Sequence, residues 1–319
     1  MAKTAKKGCL GCSFPLLIGL TILIIALFVT GFIAGPIGSK IIPLKLPNWI
    51  SVAKPEPELP AQVVFHILGF PITNSITAAW VTIVFAIVFF WAITRRSKLI
   101  PGRLQSIVEG LLGWLYDFCK SVAGEANGRK FFPIVATIFI FVAFNAWLGL
   151  LPGYGTILVH TAEGETHLLK PANTDINVPL ALALFSFVCV EYFGLRARGI
   201  RYLSKFFNFG SFLGGLWLII RGKLKSGLSK VFLGVINAFI GLIELLSEFI
   251  RIISFTFRLF GNMTAGEVLL LAVMFLVPWV VAPIFYGLEL LVGFVQALIF
   301  SSLTLIFLTL AVAHEEEAH

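Results

Sequence analysis

Apolar runs of about twenty residues or more recur along this sequence, at 14–34, 72–93, 133–151, 176–195, 231–274 and 284–313. An α-helix needs roughly 20 such residues to cross about 30 Å of hydrocarbon, so each run is a candidate span. With 58% hydrophobic and 13% charged residues, the chain is far from the average of a water-soluble domain. An all-α polytopic membrane protein with about six transmembrane helices is predicted. The last two runs are longer than a perpendicular crossing requires and are joined near Pro278 and Pro283, so they are expected to form a long, tilted hairpin. No sizeable soluble domain remains to carry nucleotide chemistry.

The formal net charge of +8 would suggest nucleic acid in a soluble chain. Here the basic residues follow the spans instead. With the N-terminus inside, 18 Lys and Arg fall in the segments 1–13, 95–132 and 196–230, against four outside at Lys40, Lys45, Lys54 and Lys170. This is the positive-inside pattern, with both termini cytoplasmic, and it gives no reason to invoke a nucleic-acid partner. Three regions follow. Residues 1–36 form an N-terminal transmembrane anchor or a signal segment cleaved near Gly35, the length of the apolar run favouring the anchor. Residues 37–71, with KPEPELP at 54–60, form a proline-rich extracytoplasmic segment. Residues 72–319 form the main membrane domain. Within it, Leu104 to Val122 has helical apolar spacing and is expected to lie on the membrane surface. Ser211 to Ile220 is too short to cross.

Charge inside the membrane is concentrated in one place. The stretch ELLSEFIRIISFTFRLFGNMTAGE, 244–267, holds two arginines and three glutamates among Ile, Phe and Leu. Such residues cost roughly 2.5 to 3.5 kcal/mol each on insertion scales and mark function by default. On a helix, Glu244, Arg251 and Arg258 share one face, with Ser247 and Ser254 alongside. Glu267 lies half a turn away from Arg258 and roughly 13 Å further along the axis. On the last run, Glu289 and Gln296 are seven residues apart and share a face.

These residues carry a family resemblance. Phe257-Arg258-Leu259-Phe260-Gly261-Asn262-Met263 with Ala265-Gly266-Glu267, IFIFVAFNAWLGLLPG around Asn145, DINV at 175–178, and the last helix with Gln296 and an acidic end resemble subunit a of the rotary F-type ATP synthase. The resemblance covers residues 60 to 319. The N-terminal extension and the long 206–230 segment depart from it. It implies the proton-translocating stator of the Fo sector, with two offset half-channels against a c-ring. The implied partners are the c-ring, peripheral stalk subunit b, F1 indirectly and the lipid bilayer. No cofactor, no metal and no catalysis by the chain itself are implied, and the location is a bacterial inner or plasma membrane or an equivalent organelle membrane.

Residue by residue, Arg258 matches the family's essential arginine, a cation that side-chain chemistry never lets deprotonate. It would hold the passing c-ring carboxylate ionised. Glu267 and Glu289 match outer half-channel positions, and Gln296 matches the polar partner near the arginine. Glu244 and Ser254 would polarise the inner half-channel, with Asn262 in the arginine motif. Glu248 and Arg251 read more simply as an i, i+3 ion pair. Asn145 is open between lining a channel and bridging helices, and Asp175 between a helix N-cap and a channel residue.

Other readings are weaker. A Na⁺-translocating form of the same subunit is equally consistent with this chain, because Na⁺ ligands would lie mainly on the partner ring. A self-contained secondary transporter should show matched, interrupted repeats, which are not visible. An intramembrane hydrolase lacks a nucleophile and base. His160, Glu163, Glu165 and His167 fit no zinc spacing and read as a solvated loop. Cys9 and Cys12 lack a second ligand pair, and no disulfide is implied.

Overall fold

The apolar runs fold as helices because their backbone polar groups have no other partners in hydrocarbon. In the computed structural model the described residues are 14–36, 60–95, 97–98, 100–151, 153–161, 164–206, 214, 217–218, 224–277 and 281–313. Cys9, Cys12, Glu163, residues 37–59 of the proline-rich segment, most of 207–223 and the acidic tail lie outside them. Among the described residues the α-helices are, in chain order, α1 Phe14–Ala34, α2 Asn74–Arg95, α3 Arg103–Gly149, α4 Asn177–Arg198, α5 Leu224–Leu276 and α6 Ala282–Ala313. Five of them, α2 to α6, are long and apolar enough to cross a membrane. The expected anchor corresponds to α1, a 21-residue apolar helix.

The predicted surface helix and third span are the two halves of α3. They are separated at Gly124, whose φ of 77° and ψ of 168° break the helix. That region of backbone space is nearly closed to residues with a Cβ. Across the break, Tyr116 meets Phe132 edge to face at 5.2 Å, and Lys120 pairs with Glu125 at 3.6 Å.

The second half of α3 is the centre of the bundle. Val135, Ile138, Phe139 and Val142 on it are buried, and α6 packs along it more extensively than any other helix pair does. Phe139 meets Phe294 at 5.6 Å, and the Trp147 indole donates to the Leu290 carbonyl at 3.1 Å. Helix α4 closes on α6 through a buried Ser186–Thr304 hydroxyl pair at 2.9 Å. Interhelical polar contacts of this kind hold membrane bundles together, since lipid tails give helices little hydrophobic reason to associate.

Helix α5 has 53 residues and α6 has 32, about 80 Å and 48 Å at 1.5 Å per residue. Neither fits upright in about 30 Å of hydrocarbon, which agrees with the expected long, tilted hairpin. Two small hairpins, β1 Val63–Ile67 with β2 Phe70–Thr73 and β3 Leu158–Thr161 with β4 Gly164–His167, and the 3-10 turns Ala172–Thr174 and Gly199–Lys205 complete the described structure. The first hairpin gives the described end of the proline-rich segment, expected to be extended and non-helical, a paired β form. It leads directly into α2, and the Asn74 side chain accepts from the Gln62 N–H at 3.2 Å.

Candidate functional site

On α5, Phe255, Leu259, Met263 and Leu270 are buried against the bundle at helical spacing. The opposite side carries exposed Ser254, Gly261, Asn262 and Ala265. Arg258 sits at the edge of that small-residue face. Its guanidinium lies 3.5 Å from the Ser254 hydroxyl and 6.0 Å from the Phe255 ring centroid. Among the described residues no carboxylate forms an ion pair with it. Small residues beside an intramembrane cation let another helix approach closely.

Beyond Arg258, towards the C-terminal end of α5, a cavity of about 470 Å³ lies between α5, α6 and the segment after β4. Glu267 and Glu289, far apart in sequence, both line it, with Lys170, Thr174, His167 and Tyr286. Glu289 is 5% exposed, and its carboxylate occupies the space a Cβ would take at Gly266. Glycine at 266 is therefore what admits the α6 carboxylate to the α5 backbone. Gln296, a heptad further along α6, is buried. Glu267 shares this lining with Thr174 and Lys170. Tyr154 lines the same cavity; burial pushes its phenol up to about 12, so it serves as a neutral hydroxyl.

Lys170 and Thr174 were not foreseen as part of this site. The charge count places Lys170 outside, and the structure buries it. The segment 168–174 is drawn into the bundle by its backbone. Thr77 donates to the Leu168 carbonyl at 2.7 Å, the Lys170 N–H to the Asn74 carbonyl at 3.5 Å, and the Ala172 N–H to Asn145 Oδ1 at 3.0 Å. Asn145 therefore bridges α3 to this segment, and it lies behind the cavity wall. Asp175 accepts from the Asn177 N–H at 3.2 Å, at the start of α4, and from the Ser75 hydroxyl at the start of α2. It both caps and ties. The β3–β4 hairpin is solvated only in part: His160 and Glu165 are 3.5 Å apart and largely exposed, whereas Thr166 is buried and His167, expected in a solvated loop, lines the cavity because β4 leads directly into the segment drawn into the bundle.

Towards the other end of α5 the expected Glu248–Arg251 ion pair is present at 2.7 Å, and Glu248 is buried. Arg251 also lies 3.7 Å from the Phe307 ring centroid of α6. Glu244 is not alone on this side. Lys205, from the 3-10 turn Gly199–Lys205, reaches Glu244 at 2.6 Å and Glu248 at 3.2 Å. In that turn the Tyr202 hydroxyl donates to Glu191 at 3.2 Å; burial and the Glu191 charge push its phenol up. Composition had assigned Lys205 only to the basic inner loop, since its approach to α5 is set by tertiary structure.

Long paired helices, an intramembrane arginine with no ion-pair partner among the described residues, and one carboxylate from each of two helices lining one cavity define a polytopic membrane protein that carries charge within its spans. Residues 76–309 match the family model described as ATP synthase A chain, and the chain belongs to that family. Among similar proteins is ATP synthase subunit a of Gloeobacter violaceus, 32% identical over 246 residues, 77% of this chain and 86% of that one. The subunit a of Helicobacter pylori strain P12 is 30% identical over 258 residues, 79% and 97% of the two chains. That of Mycobacterium ulcerans is 32% identical over 248 residues, 76% and 87%.

Proposed function

We propose that the chain translocates protons as the stator of an Fo sector, against a rotating c-ring, in a bacterial inner membrane with both termini cytoplasmic. The observation that carries this reading is the arrangement along α5: an arginine without an ion-pair partner among the described residues, beside exposed small residues. Each c-ring carboxylate passes that face. The permanent guanidinium charge favours its ionised form, so its proton leaves to water on one side of Arg258 and a proton is regained on the other. Direct leakage of protons past the arginine is opposed by the same charge.

The cavity holding Glu267 and Glu289 acts as the outer half-channel, the two carboxylates passing protons between solvent and ring, with Gln296 between them and the arginine level. Asn262 and Ser254 flank Arg258 on the ring face. Glu244 polarises the inner half-channel through its pair with Lys205. Asn145 holds the outer wall in place. The chain itself breaks and makes no covalent bond. Subunit b and the F1 sector hold and use the rotation, and residues 1–36 anchor the N-terminus. ATP-driven ion uptake in inverted vesicles containing the whole complex tests the choice of ion: acidification without Na⁺ is expected, and uptake that requires Na⁺ contradicts the proton assignment.

A further inference from the structure

A second cavity, of about 790 Å³, lies away from the α5 site, where the end of α2 meets the start of α3. It is within the roughly 300 to 1,000 Å³ range of ligand-sized pockets. Its walls are Phe85, Val88, Phe89, Ala92 and Ile93 from α2 and Leu104 from α3. They are almost wholly apolar. Its rim is different: Lys98 and Arg103 stand on the short connection between the helices, both exposed.

That rim is built. Gln105 clamps the connection, accepting from the Lys98 N–H at 3.2 Å and donating to the Lys98 carbonyl at 3.1 Å. Its amide also donates to Glu109 at 2.7 Å, which engages that carboxylate. Arg95, at the end of α2, lies 5.1 Å from the Trp91 ring centroid, an aromatic and basic pairing typical of the membrane interface. Among the described residues no acidic group forms an ion pair with Lys98 or Arg103. By the charge asymmetry of the chain this end of α2 is cytoplasmic, the side whose leaflet carries anionic lipid.

We propose that this groove seats an anionic phospholipid of the inner leaflet, acyl chains along Phe85, Val88, Phe89 and Leu104, phosphate between Lys98 and Arg103. An apolar trough crossing into hydrocarbon with two cations at the headgroup level matches the two ends of such a molecule, and a zwitterionic lipid would leave the cations without a net counter-charge. Seating it braces α2 against the first half of α3, both of which line the groove. The inference rests on the membrane orientation and is independent of which ion is moved.

The test is native mass spectrometry of the intact complex extracted from membranes and exchanged into nanodiscs of phosphatidylglycerol, phosphatidylcholine or a mixture. The subunit released from the mixed nanodiscs should retain phosphatidylglycerol. Lys98→Gln with Arg103→Gln should abolish that adduct, Lys98→Arg with Arg103→Lys should keep it, and Ala92→Trp, which fills the apolar trough and leaves the cations, should abolish it too. A photoreactive group at position 92 should label lipid. Retention of phosphatidylcholine in place of phosphatidylglycerol, an adduct that survives both the charge and the Trp variants, or labelling of a protein helix at position 92 would overturn the proposal.

Discussion

Lys170 shows how a side chain can belong to a site that its local sequence hides. It follows a polar loop and counts as an outside charge, yet its backbone N–H is anchored on Asn74 and its side chain is buried beside Glu267. No periodicity signals this, because the contact is made across about a hundred residues of chain. The carboxylates were legible, since a glutamate inside a hydrophobic run stands out on cost alone. What Glu289 needs in order to reach Glu267, the missing side chain at Gly266, was not. Two outcomes are expected. Lys170→Gln should lower ATP-driven proton flux about tenfold, the equivalent of about 1.4 kcal/mol, while Lys170→Arg keeps most of it. Glu267→Gln and Glu289→Gln should each slow flux partially and the double variant more, with wild-type flux in the double variant removing both from the path.

At the scale of elements, five of the six expected runs form helices long and apolar enough to cross a membrane and the sixth, at 14–34, lies in a 21-residue apolar helix, because length and hydropathy decide them; 244–267 is helical throughout. The break in α3 illustrates the limit. Two segments, a surface helix and a span, were predicted from composition, but the pivot between them is a single glycine at a φ of 77°. Gly124→Ala should strain the backbone by roughly 1 to 3 kcal/mol and reduce the amount of subunit assembled, measured by quantitative blotting of purified complex. Gly266→Ala tests the other close approach. Its Cβ would displace the Glu289 carboxylate, so flux should fall to the level of Glu289→Gln while assembly is retained; unaffected flux would mean that this contact is not on the proton path.

Across the whole molecule, the charge asymmetry and the packing agree on which elements share an end. The β1–β2 and β3–β4 hairpins are in contact, and Gly35, just after α1, lies against the backbone of Leu276 at the end of α5. All belong to the end assigned outside. Cysteines at His160 and Ile200, both exposed, should therefore label from opposite faces of sealed vesicles in a background lacking the native four cysteines; labelling from one face would overturn the orientation. Lys170, being buried, is a poor reporter despite its place in the charge count. The central claim concerns Arg258, and one measurement addresses it most directly: proton flux and ATP synthesis in vesicles containing Arg258→Ala complexes whose c-ring content has been verified. Loss of both coupled synthesis and ATP-driven pumping in the assembled complex is predicted, with severe impairment also in Arg258→Lys, whose point charge lacks the rigid fork. Coupled activity at the wild-type level in Arg258→Ala would contradict the account.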